Sequence, residues 1–190
     1  MYGQRLGDIF NLKAAPAFTT RTLRKTEIAV TEIRCDAENN GLTKPIPRED
    51  ALLVALQLRD RTRYELWLDD KPVTTGPLEA GVTCFYDLRR NPMANGISLF
   101  HSLQFYLPRQ ALNLLADSEG KKHVGDFNHN PGHAVNDQTI RGLGYLSRTF
   151  PTWLCWSNRC SLSGGCFASS SASCIAACWP SSATMMCAGA

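Results

Sequence analysis

The chain has 190 residues and a formal net charge of +3. That length suits one domain with extensions, and that charge is too small to argue for nucleic acid or an anionic membrane as partner. Arg5, Asp8 and Lys13 interrupt the N-terminus, and no apolar stretch reaches the ~18 residues of a membrane span, so neither a secretory signal nor a transmembrane helix is expected and the expected location is cytoplasmic.

Residues 1–19 read as an N-terminal extension. Thr20 to Arg34 is rich in Thr, Ile and Val and gives a weak strand signal. Ala51 to Leu58 is a short apolar run, the pattern of a strand buried on both faces. Arg59, Arg61 and Arg63 alternate with other residues, as on one strand face. Tyr64, Leu66 and Leu68 then alternate with Glu65, Trp67 and Asp69, and Asp69-Asp70-Lys71-Pro72 is turn chemistry leading to Val73. Val82, Cys84, Tyr86 and Leu88 form another alternating strand. A third runs from Ile97 to Leu107. Strands at this spacing, joined by Gly, Pro and Asn turns, predict a small antiparallel barrel or jelly roll. In such a barrel the face carrying Val82, Cys84 and Tyr86, and the face carrying Leu99, His101, Leu103 and Phe105, are expected to point inward.

The pattern then becomes helical. Pro108 suits a first helical turn, Ala111, Leu112, Leu115 and Ala116 recur at helical spacing, and Gly120 can close the end. Asn136 is the expected N-cap of a second helix carrying Ile140 and Leu143.

Composition breaks near residue 146. Every charged side chain but Arg159 lies in residues 1–150, whereas six of the eight cysteines, Cys155, Cys160, Cys166, Cys174, Cys178 and Cys187, lie beyond. The final segment holds neither helical nor strand periodicity. Trp153 to Arg159, with C at each permitted wobble base and each codon begun one base earlier, reads Ala-Leu-Leu-Glu-Gln-Pro, which is helix-like and charged. A frameshifted, disordered tail over 147–190 is the expectation, with a genuine low-complexity tail as its alternative.

No motif for chemistry stands out. The histidines are His101, His123, His129 and His133. His129 and His133 have the spacing of two ligands on a helix, but Pro131 and Gly132 between them make a loop. His101 reads as a satisfied core or pocket histidine. The tail cysteines lack paired zinc spacings, Gly142-x-Gly144 is too short to be a phosphate loop, and Asp69 with Asp70 reads as a solvated turn. No catalytic residue, no metal ligand and no cofactor is assigned, cofactor-binding residues are left unknown, and the chain is expected not to be an enzyme.

Leu52 to Tyr145 resembles the N-terminal domain of AraC-family transcriptional regulators. The blocks that carry this are Tyr64 to Asp69, Gly81 to Leu88, Phe100 to Arg109, Asp126, Pro131 to His133 and Asp137 to Tyr145. The resemblance implies a cupin-like domain over 20–146, which makes the fold class a β-rich α+β jelly roll followed by short helices. It implies effector sensing and dimerisation, with a small molecule and a second copy as partners. Departure from the family after Tyr145 implies a truncated regulator without its helix-turn-helix module, hence no specific DNA binding by this chain. A small cupin-type enzyme and a ligand-free interaction module are the alternatives.

Overall fold

The computed structural model describes residues 1–21, 26–125 and 132–149. A short helix α1 (Gln4–Ile9) leads into β1 (Ala17–Arg21) and β2 (Glu27–Cys35). There follow β3 (Gly41–Leu42), β4 (Ala51–Gln57), β5 (Glu65–Leu68), β6 (Lys71–Val73), β7 (Thr83–Asp87), β8 (Met93–Gly96) and β9 (Phe100–Pro108). The chain then turns helical, in α2 (Arg109–Ser118) and α3 (Gln138–Thr149). The strands form two antiparallel sheets, ordered β1-β2-β9-β4-β7 and β3-β8-β5-β6. This is the expected two-sheet jelly roll followed by short helices.

β4 is buried at every position, as its unbroken apolar run predicts. It needs two covers because both its faces are apolar. One face, with Leu53 and Ala55, looks into the sandwich; the other, with Leu52, Val54 and Leu56, packs under α2 and α3 through Leu112 and Ile140. Strands β2 and β4 pair with β9 over seven residues each, so the middle of this sheet is held by contacts distant in sequence.

Local chemistry sets the ends of the elements. Asp69 and Asp70 both adopt positive φ, 50° and 61°, the left-handed pair a two-residue hairpin turn requires. Pro72 sits in β6, the edge of its sheet, where a missing N–H costs no ladder bond. Pro108 ends β9 and precedes the first residue of α2 instead of lying within the helix. Gly120, at φ 64°, closes α2: the Lys121 N–H donates to the Ala116 carbonyl at 2.8 Å and the Gly120 N–H to that of Asp117 at 3.2 Å. Asp137, one residue beyond the expected Asn136, caps α3 by accepting from the N–H groups of Thr139 and Ile140 at 2.9 and 3.0 Å. The Asn136 amide oxygen accepts from Arg141 instead.

Residues 1–19 supply Met1, Leu6, Ile9, Phe10 and Ala15 to the core against Ile33, Leu53 and Phe100. The tail expected from 147 onward lies outside the described residues, apart from the end of α3.

Candidate functional site

The interior of the jelly roll is not filled solely by hydrocarbon. Side chains from β2, β4, β7 and β9 on one sheet face those from β5 and β8 on the other across a cavity of about 40 Å3, room for roughly three water molecules. Ile33, Leu53 and Leu66 supply apolar wall; Gln57, Arg61, Tyr64, Tyr86 and Gln104 supply polar groups.

Arg61 is the unusual member. It follows β4 and is pinned by a two-way bridge to Leu78: its N–H donates to the Leu78 carbonyl at 2.7 Å and its carbonyl accepts from Leu78 at 2.9 Å. The bridge turns the side chain inward, and only 7 % of the residue is exposed. The guanidinium lies 4.5 Å from the Tyr64 ring centroid and 5.1 Å from that of Phe100. Such contacts stabilise a desolvated cation by about 2 kcal/mol or more each, against the several kcal/mol that burial of an ion costs. Among the described residues Arg61 has no ion-pair partner, and its Nε has no hydrogen-bond acceptor. Burial lowers its pKa, against the pull of Tyr86, Tyr64 and Cys84. Gln57, 3 % exposed, likewise has an amide oxygen without a donor. Gln104 donates to Ser102 at 2.8 Å.

Beside Arg61, Tyr86, Cys84 and Tyr64 lie close enough to interact electrostatically. Burial pushes the Cys84 thiol up to about 11 and the Tyr64 phenol up to about 12, with the Arg61 charge only partly opposing both shifts. At neutral pH these groups are protonated, so none supplies a counter-charge to the arginine.

The expected lining is half right. Cys84 and Tyr86 belong to the interior. Leu103 and Phe105 do not: they face the helices, and the inward residues of β9 are Phe100, Ser102, Gln104 and Tyr106. His101 shares the outward face and pairs with Glu32 at 2.6 Å, so it is satisfied by a carboxylate and lies away from the cavity. The three alternating arginines do not share a face either. Arg59 reaches Asp36 at 2.7 Å near the surface and Arg63 is exposed, while Arg61 goes inside. No local signal distinguishes these three; closure of the sandwich around Arg61 does.

A second charged centre joins sheet to helix. Arg109, 4 % exposed, donates to Asp87 at 2.8 Å and to the Gly125 carbonyl at 2.6 Å. Burial raises the Asp87 pKa, but hydrogen bonds from Arg89 and the charge of Arg109 outweigh it and the net shift is downward.

No family model matches the chain, and no curated protein matches it. Solved structures of similar fold do. A cupin superfamily protein from Desulfitobacterium hafniense matches at 11 % identity and a TM-score of 0.34, over 50 % of this chain and 79 % of that one. Ectoine synthase from P. lautus matches at 11 % and 0.31, over 50 % and 64 %. Oxalate decarboxylase from Bacillus subtilis, a protein with Mn(II) centres, matches at 12 % and 0.35, over 62 % and 35 %. At such identities the likeness concerns the fold alone. The two antiparallel sheets themselves make the jelly roll.

These neighbours correct one expectation. From its motifs the chain is expected not to be an enzyme, but ectoine synthase and oxalate decarboxylase are among the structures it resembles, so that expectation does not stand. Interior groups gathered from separate strands leave no contiguous motif, so a missing motif does not argue against catalysis. A manganese centre does not fit the interior as described: among the described residues neither histidine nor carboxylate lines the cavity, and amides, phenols and a guanidinium are poor ligands for that ion. Among the described residues no group of three metal-binding side chains occurs. No described helix is long and apolar enough to cross a membrane.

Proposed function

We propose that this chain is the effector-sensing, dimerising domain of an AraC-type transcriptional regulator, with the effector bound between the two sheets. One observation carries the reading: Arg61 and Gln57 each hold a buried, unpaired polar atom at the same cavity. An unmade buried hydrogen bond costs about 1–3 kcal/mol, and a mostly apolar cavity with a few such groups is the usual makeup of a small-molecule site. The blocks from Leu52 to Tyr145 that resemble the regulators run through the strands bearing this cavity and through α3.

On this reading the described residues sense, and specific DNA contact falls to a helix-turn-helix module of full-length relatives. A thermal-shift screen of metabolites against the chain should find a stabilising compound, and sedimentation should show a dimer. Mobility-shift titration with upstream DNA should show only weak, salt-sensitive binding, because specific affinity normally exceeds non-specific by at least about a thousandfold. If no metabolite stabilises the protein, the sensing reading fails. Chemical turnover of a stabilising compound would reassign the cavity as an active site.

A further inference from the structure

We infer that the interior cavity binds a short hydroxy carboxylate of two or three carbons, its carboxylate on the Arg61 guanidinium and its hydroxyl donating to Gln57. This rests on the sensing reading above and adds the chemical class of the ligand.

A guanidinium remains protonated inside proteins. Arg61 is therefore a buried cation, and among the described residues no carboxylate pairs with it. The acidic groups nearest to it electrostatically are Cys84, Tyr64 and Tyr86, all pushed toward their neutral forms by burial. A cation so placed lacks its anion, and the planar fork of a guanidinium matches a carboxylate in two parallel hydrogen bonds. Its unpaired Nε is one of the donors such a bond uses.

Size and the remaining polar atom narrow the anion. A cavity of about 40 Å3 favours a small acid over aromatic acids and sugars. The Gln57 amide oxygen needs a donor, which a bare alkyl acid lacks and a hydroxy acid has. Ile33 and Leu53 offer a methyl-sized apolar wall.

Glycolate and lactate are the probes, with acetate and glycolamide as controls, each titrated against the full chain by calorimetry and thermal shift. Glycolate or lactate should raise the melting temperature and bind about tenfold or more tightly than glycolamide, which has the same shape without the charge, because charge-assisted hydrogen bonds are about twice as strong as neutral ones. Acetate should fall between them. Arg61→Met should abolish the preference for the acid, and Gln57→Leu should bring glycolate down to acetate. The wild-type series decides the matter even if Arg61→Met fails to fold. Equal binding of glycolate and glycolamide, or no binding of either acid, overturns the inference. Stabilisation by neutral metabolites alone would sink the anion and leave the sensing reading standing, whereas no stabilising compound of any class would remove both.

Discussion

The two faces of the five-stranded sheet are built from the same strands but follow different rules. Across the outer face, Val30, Phe105, Val54 and Phe85 stand in register on β2, β9, β4 and β7, a ladder of aromatic and β-branched side chains roofed by Leu112 and Ile140. One step along, the inner face reads Thr31, Gln104, Ala55 and Cys84. The outer ladder is the arrangement that cross-strand pairing favours. The inner one buries two hydroxyl- or amide-bearing residues and a thiol, and beside it stand Gln57 and Arg61 with unpaired atoms. A single sheet thus separates the two tasks: the outer face secures the fold, and the inner face gives up some stability to keep polar groups available.

The largest effect should come from the outer face. Phe105 is 6 % exposed and sits between Val30 and Val54. Phe105→Ala should cost about 3–5 kcal/mol, the usual loss for a buried phenylalanine. Urea unfolding would measure it, and a loss under about 1 kcal/mol would show that the outer face is not the structural one.

The inner face should instead be sensitive to alkali. The Cys84 thiol is raised from 9 to about 11, first by burial, against a Tyr86 hydrogen bond and the Arg61 charge. Its folded pKa exceeds its unfolded one, so its stabilising contribution is complete below about pH 9 and declines as the pH climbs toward 11. Two units correspond to about 2–3 kcal/mol. Cys84→Ala should retain that stability across the same window. Parallel pH profiles for the two proteins would place the thiol outside the buried network.

Gly144 tests the seam between α3 and the outer face. A Cβ there would stand 2.1 Å from a Leu56 methyl, and Leu56 is itself 2 % exposed. Gly144→Ala should cost about 1–3 kcal/mol through overpacking, and Leu56→Ala in the same chain should recover part of it. Strict additivity of the two changes would mean that α3 does not approach β4 this closely.

How far these features could be read in the sequence depends on how local their causes are. The unbroken run of β4, the Asp69-Asp70 turn and the Gly120 stop each follow from neighbouring residues, and each is found where expected. β3 and β8 escape because two and four residues are too few to establish a period. α1 escapes because its six residues show no side-chain cap. The inward face of β9 differs from the expected one for another reason. Phe100 and Tyr106 on one side are as apolar as Leu103 and Phe105 on the other, and alternation marks two faces without saying which looks inward. Gly144 has a meaning only once α3 lies on Leu56, and Arg61 only once Leu78 bridges it. His101, expected on the inward face as a satisfied core or pocket histidine, is satisfied by Glu32 but lies on the outer face.

The smallest effect on stability should come from Gln57, and it is the most telling. A buried glutamine normally holds its place through its hydrogen bonds, so replacing it leaves partners stranded and costs about 1–3 kcal/mol. Here, among the described residues, the amide oxygen has no donor to strand. The backbone of Gln57 is fixed independently, its N–H donating to the Val82 carbonyl at 2.9 Å and its carbonyl accepting from Gly81 at 2.7 Å, and Leu can keep both bonds. Leucine also fills similar volume against Ala55 and Leu66 at the cavity wall. Gln57→Leu should therefore leave the unfolding free energy within about 0.5 kcal/mol of wild type or raise it slightly, although the residue is as fully enclosed as a core side chain, at 3 % exposed. Urea titrations of the two proteins at neutral pH would settle the point. A loss near 2 kcal/mol would mean that the amide serves the fold after all, and the distinction between the two faces would no longer extend to this residue. A neutral or stabilising result would leave ligand contact as the physical reason for an amide at that position.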